Sequence, residues 1–210
     1  MSNQKQQELA KQTAAALEKR GYTVSSFATK EEARSHILSL IPPHATVGMG
    51  GSLTLQQLAL TTGLQGSDCE ILDHNAPGTT PEAALEIRHR QLSSDVFLTS
   101  ANAVTQQGSI VNTDGVGNRV AAMLFGPKRV VIVIGTNKIV PDVEAAYDRI
   151  KAIAAPLNNK RLNRPNPCVE AGKCLDCQLP TRICNITTVM HRKPSLTDIH
   201  VVIISEELGY

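Results

Sequence analysis

FLTSANAVTQQGSIVNTDGVGNRVAAMLFGPKRVVIVIGTNK, residues 97–138, decides the fold. It holds the larger part of one short apolar run, residues 96–99, and the whole of another, residues 130–134. Both are too short for helices and rich in residues that suit strands buried on both faces. Small and amide side chains (Ser100, Asn102, Asn112, Asn118) follow the runs, together with Asp114, Arg119 and Lys138. Ligands of open α/β sheets collect at strand ends, so the stretch reads as one wall of a binding pocket.

Working outward, strand and helix alternate. Residues 4–20 carry a helical pattern that stops at Gly21, and Thr29-Lys-Glu-Glu32 is a capping box opening a helix that ends before Pro42. Residues 45–49 form a strand running into Gly50-Gly51-Ser52, with LTLQQLAL helical up to Gly63. Residues 69–72 and 201–204 read as further strands, and Pro81 and Pro141 each open a helix. The second of these, residues 142–154, turns Ala145, Ala146, Ile150 and Ile153 to its apolar side. Gln107-Gly108 between two extended pieces signals an inserted β-hairpin. From Pro156 the basic, Asn- and Pro-rich LNNKRLNRPNPC reads as a connecting loop. The expectation is one α/β domain over residues 1–210: a mostly parallel sheet with helices on both faces, and a Cys-rich segment at 156–193.

Composition narrows the function. With no Trp, the core must be Val, Ile, Leu and Ala. A net charge of +2 with no aromatics among the basic residues argues against nucleic acid. The N-terminus is polar, unlike a signal peptide, and residues 130–134 are far too short to cross a bilayer. A cytoplasmic protein without membrane contact is expected.

Three motifs carry chemistry. Gly48-Met-Gly50-Gly51-Ser52-Leu-Thr54 lies between a strand and a helix, where glycines, free amides and the hydroxyls of Ser52 and Thr54 suit a phosphate or carboxylate. It lacks the Lys of a P-loop and the third glycine of a dinucleotide fingerprint, and a plain capped turn explains it equally well. In Thr113-Asp-Gly-Val-Gly-Asn-Arg119, Asp114 and Asn118 suit hydroxyls and Arg119 suits a bidentate anion. Turn formation and a surface ion pair are the alternative. Ser100, Asn102 and Lys138 at neighbouring strand ends favour a ligand site, with Asp114 its candidate catalytic group. Asp73-His74 reads as a surface turn.

The third motif is Cys168-x5-Cys174-x2-Cys177-x6-Cys184. Four thiolates can wrap one soft metal centre. A zinc ribbon has two C-x2-C knuckles and this chain has one, so the compact spacing favours a 4Fe-4S cluster, with zinc the alternative. His191 is a candidate outer ligand, and Cys69 reads as a buried small hydrophobe.

VGMGGSLTL at residues 47–55 and the block from Thr99 to Val140 resemble the lactate-utilisation (LUD) domain family, whose named examples are the LutC/YkgG-type proteins. The resemblance implies a fold of the NagB/RpiA/CoA-transferase-like group, related to 5-formyltetrahydrofolate cyclo-ligase, and a role near L-lactate oxidation by a multi-subunit iron-sulfur system. The four-cysteine tail resembles a LUD subgroup apart from the typical LutC subunit. Three functions follow as expectations. One is a redox accessory with a cluster and a pocket for a small anionic organic acid or phosphorylated ligand. Another is a NagB-like ligand-binding or transferase enzyme with structural zinc. The last is a subunit docking to an iron-sulfur oxidoreductase through Lys160, Arg161 and Arg164. Self-association into a homo-oligomer is compatible with each.

Overall fold

The computed structural model describes residues 2–210. Helix α1 (Asn3–Lys19) ends where Gly21 takes a φ of 89°, and β1 (Thr23–Phe27) follows. Helix α2 (Lys30–Ser39) opens on the expected capping box, Thr29 and Glu32 each accepting the other's backbone N–H. Strand β2 (Thr46–Met49) leads into α3 (Leu53–Gln57) and α4 (Leu60–Leu64). The sequence reads these two as one helix, but Ala59 adopts a left-handed φ of 48° and breaks it. Strand β3 (Glu70–Leu72), α5 (Pro81–Gln91) and β4 (Val96–Ser100) come next. They are followed by β5 (Ala103–Thr105), β6 (Ile110–Asp114), α6 (Asn118–Leu124), β7 (Arg129–Gly135) and β8 (Ile139–Val140). Helices α7 (Val143–Arg149), α8 (Ala155–Arg161) and α9 (Cys168–Ala171) and strands β9 (Ile186–Met190) and β10 (Asp198–Ile204) complete the chain.

The main sheet has six strands in the order β1-β10-β7-β4-β2-β3, and every pair in it is parallel. Alternation along β7 sends Val130, Ile132 and Ile134 to one face, against Leu17 of α1 and Met123 of α6. Val131 and Val133 face the other side, with Ile37 of α2, Leu55 of α3 and Leu60 of α4. Burying each such side chain contributes roughly 1.5–3 kcal/mol, which is why helices cover both faces.

The expected hairpin is the middle of a second sheet, in the order β8-β5-β6-β9. Strand β9 is missing from the sequence reading because it lies inside the stretch taken as Cys-rich loop. Its antiparallel register against β6, from Ile110↔Met190 to Asp114↔Ile186, ties that segment to the body of the protein.

The loop expected from Pro156 is also corrected. Helix α7 continues through a π-helical turn (Ile150–Ala154) into α8, so the chain stays helical to Arg161. Pro156 lacks an amide hydrogen, and the widened turn just before it absorbs the lost bond. The turn also shifts the helix face: Ala146 and Ile150 are buried as expected, whereas Ile153 is turned out and is 42% exposed.

Candidate functional site

The C-terminal ends of β2, β3, β4 and β7 open on one edge of the main sheet, and a cavity of about 240 Å³ lies there. It is lined by Gly51, Ser52, Thr54, Ser100, Asn102, Asp114, Asn118, Arg119 and Lys138. Gly50 stands behind this lining. Its N–H donates to the Leu98 carbonyl at 2.8 Å, and a Cβ there would lie 2.8 Å from Thr99 Oγ1, so a glycine is required for β2 to approach β4. Ser52 occupies the cap position of α3, but its hydroxyl makes no capping hydrogen bond.

Lys138 is 3% exposed, and its Nζ donates to Thr54 Oγ1 at 2.8 Å and to Ser100 Oγ at 2.9 Å. Among the described residues no carboxylate pairs with it. Burial, then the nearby charges of Arg149 and Arg119, push its pKa down to about 7.

Arg119 ties the site together. Its Nη1 donates to the Ser100 carbonyl at 3.1 Å and to Asn112 Oδ1 at 2.9 Å. Nη2 donates to Asn102 Oδ1 at 3.1 Å and to the Thr113 carbonyl at 2.8 Å. The guanidinium expected to clamp a ligand thus holds four protein acceptors, joining the end of β4 to β6. Asp114 lies 3.8 Å from Arg119 Nε, and its oxygens accept from the N–H groups of Gly115 and Val120, each at 3.2 Å. Both carboxylate oxygens therefore serve the turn into α6.

Several cavity residues escaped the sequence reading. His74, read as a surface turn, lines the cavity just beyond the end of β3. Its Nδ1 is 3.1 Å from the buried Gln91 amide nitrogen, which also donates to the Met49 and Leu72 carbonyls. Burial first, then Arg88, lowers the His74 pKa, so the ring is neutral at pH 7. The signal was available: His74 stands two residues past its strand, as Asn102 does. Arg88, Arg161 and Arg164 also line the cavity. The latter two were expected on a docking surface of a connecting loop at residues 157–168. Four arginines, Arg88, Arg119, Arg161 and Arg164, face one carboxylate, Asp114, in a partly enclosed site, a charge balance that favours anions.

Two of the clustered cysteines, Cys174 and Cys184, lie on the far side of one wall. A second cavity of about 360 Å³ is lined by Cys174, Cys184, Asp176 and Arg182. Thr113 lines both cavities, and Ile183 faces the first while Cys184 faces the second. No cysteine is in a disulfide. Burial, then Cys174, pushes the Cys184 thiol up to about 11, with Cys168 and Cys177 adding to the rise. Cys168 is raised by burial, then by Cys177. Cys168 and Cys184 therefore each lie near enough to Cys174 and Cys177 to feel their charge. Cys168 Sγ accepts from Asn159 Nδ2 and Cys174 Sγ from the Asp176 N–H, each at 3.4 Å. Arg182 donates to the carbonyls of Cys177 at 2.7 Å and Cys184 at 3.1 Å.

Four soft thiol donors with N–H···S contacts suit an iron-sulfur cluster or zinc rather than a hard cation. Among the described residues no group of three or more His, Cys, Asp or Glu side chains is placed to hold one metal ion. His191 instead faces Ser109, its Nδ1 at 3.4 Å from the hydroxyl. Cys69 is half-buried against the α2–α4 side of the core, its thiol 3.6 Å from the Pro42 carbonyl.

No curated protein matches the chain. Among solved structures it is similar to a DUF162 family protein from Deinococcus radiodurans, with a TM-score of 0.54 and 15% identity over 97% of this chain and 99% of that one. At that identity the likeness shows the fold. Among the described residues no helix is long and apolar enough to cross a membrane. The LUD domain model matches residues 10–204, from α1 through the end of β10 and including all four clustered cysteines. The chain belongs to the LUD domain family.

Proposed function

We propose that the protein is a cytoplasmic redox accessory of organic-acid metabolism, of the LutC/YkgG-like kind with a four-cysteine segment. In this reading Cys168, Cys174, Cys177 and Cys184 hold a 4Fe-4S cluster, and the cationic cavity takes a small organic acid or a phosphorylated compound. The observation that carries the reading is the shared wall: Thr113 lines both cavities, and of the adjacent pair Ile183-Cys184 one residue lines the first cavity and the other the second. When bound, a cluster of this kind stores and passes single electrons. The chain's own residues do the rest. Arg88, Arg161, Arg164 and Ser52 bind the anionic group, Arg119 and Asp114 hold the wall in shape, and Arg182 fixes two of the cysteine carbonyls. The electron partner is an iron-sulfur oxidoreductase.

Lys138 favours a second reading. A buried amine able to lose its proton near neutrality is a catalytic group that needs no cluster. The protein would then be a NagB/CoA-transferase-like ligand-binding or transferase enzyme with structural zinc.

Anaerobic purification followed by iron, sulfide and zinc analysis separates the two. About four irons and four sulfides per chain, lost in Cys174→Ser, are expected. About one zinc per chain with no visible absorbance refutes the cluster.

A further inference from the structure

We infer that Lys138 is a covalent carbonyl-binding residue: its Nζ forms an imine with an aldehyde or ketone that carries a carboxylate or phosphate. The inference rests on the anionic-ligand reading of the cavity and is independent of which metal centre the cysteines hold.

The hydrogen-bond inventory at Nζ carries the argument. A neutral primary amine has two N–H groups and a lone pair, whereas an ammonium has three N–H groups and no lone pair. The structure supplies Nζ with two acceptors, Thr54 Oγ1 and Ser100 Oγ. The hydroxyl protons of those residues go elsewhere, Thr54 to the Leu208 carbonyl and Ser100 to Thr54 Oγ1, each at 3.4 Å. A third N–H would meet no protein acceptor, and the ammonium would stand beside Arg119 and Arg149 with no counter-ion. The site is therefore built for the neutral amine, and its lone pair is left for a ligand.

The surrounding geometry fits the ligand class. Lys138, Thr54 and Ser100 line the cavity together with Arg88, Arg161 and Arg164, which supply positive charge for an anionic group. Crowding also matters. A side chain at Gly209 would run into Thr54 Oγ1 and lie 3.1 Å from Nζ, so a glycine there keeps room next to the amine.

The chemistry balances without any redox partner. The Nζ lone pair attacks the carbonyl carbon, an N–C bond forms and the C=O π electrons move to oxygen. A proton passes from nitrogen to that oxygen, giving a carbinolamine. Loss of one water then leaves the imine, which hydrolysis reverses. Once protonated, the imine withdraws electrons from the adjacent carbon, as a carbonyl does more weakly.

The test uses the full-length wild-type protein at pH 7.5 with sodium cyanoborohydride, once with pyruvate and once with glyceraldehyde 3-phosphate. Peptide mass spectrometry then locates the reduced adduct. At that pH a lysine with pKa near 7 has several hundredfold more neutral amine than an ordinary one with pKa about 10.4. Labelling of Lys138 on the order of 100-fold above any other lysine is expected, suppressed by excess inorganic phosphate and absent in Lys138→Arg. The arm that labels identifies the anionic group.

Equal labelling of surface lysines with none at Lys138 overturns the inference. Phosphate that raises the melting temperature of a protein giving no adduct overturns the covalent role alone. If phosphate neither stabilises the protein nor blocks labelling, the anion-site reading falls as well.

Discussion

Replacing Arg119 by Met tests whether its guanidinium is structural or reserved for a ligand. The side chain is 15% exposed and makes four hydrogen bonds to acceptors on β4, β6 and the turn between β4 and β5. Each charge-assisted bond is worth about 1.5–3 kcal/mol net, but four bonds from one group are not additive. Removing one member of a buried charged network costs about 3–5 kcal/mol. For a domain of this size each kcal/mol lowers Tm by about 2–4 °C, so Arg119→Met should melt roughly 10–15 °C below wild type. Circular dichroism against temperature, with urea unfolding as a second measure, reads this directly. Arg119→Lys should recover only part of the loss, because an ammonium cannot reproduce the planar fork. A fall of less than about 3 °C together with lost anion binding would refute this account and return Arg119 to the ligand.

Lys138 makes stability depend on pH in a defined direction. Between pH about 7 and 10.5 the unfolded chain keeps the lysine proton that the folded one has released, so stability rises with pH across that window. The slope approaches about 1.4 kcal/mol per pH unit, which gives roughly 2 kcal/mol between pH 7 and 8.5. Lys138→Met should lack this rise, and parallel urea-midpoint profiles for the two proteins would contradict it. At the hairpin, Gly108 has a φ of 84°, and a Cβ there would lie 2.7 Å from the Ala16 carbonyl oxygen of α1. Gly108→Ala should therefore cost more than the roughly 1–2 kcal/mol of left-handed strain alone. Gly78→Ala, with a φ of 81° and open space around it, should cost only the strain; equal losses in denaturant titrations would count against the contact. Raised thiols at Cys168 and Cys184 must lose protons to bind metal. Uptake of zinc or reconstituted iron should strengthen from pH 7 to pH 8.5, and a pH-independent affinity would mean that these thiols are not ligands.

The parallel core was legible because β7 and β10 are continuous apolar runs, the mark of strands covered on both faces. The cavity was legible in part because ligands of open α/β sheets collect at strand ends, and Ser100, Asn102 and Lys138 lie at or just past the ends of two different strands. Arg119 lines the cavity with four protein acceptors around it, and sequence shows that a guanidinium is present but not which acceptors surround it. His74 was lost because adjacent strand residues point to opposite faces, which made Asp73-His74 read as a surface turn. The second sheet was hidden because Ile186–Met190, ITTVM, sits beside the cysteines, whose spacing drew the whole region into one loop. Pro156 misled for a simple reason: a proline ends most helices, and here a wider turn precedes it.

That turn also decides which way a helix faces. Across Ile150–Ala154 the helix carries one residue more than a regular spiral would need; its last residue, Ala154, and beyond it Asn158 and Arg161 line the first cavity. Each residue of an α-helix rotates its successors by about 100°. Excising Lys151 would leave a chain one residue shorter whose helix could run straight, with every apolar contact upstream intact. The cost would fall on Asn158 and Arg161, swung about a quarter-turn away from the cavity. A single surplus residue thus acts as a mechanical offset, coupling the packing of the second sheet to the aim of the cationic wall.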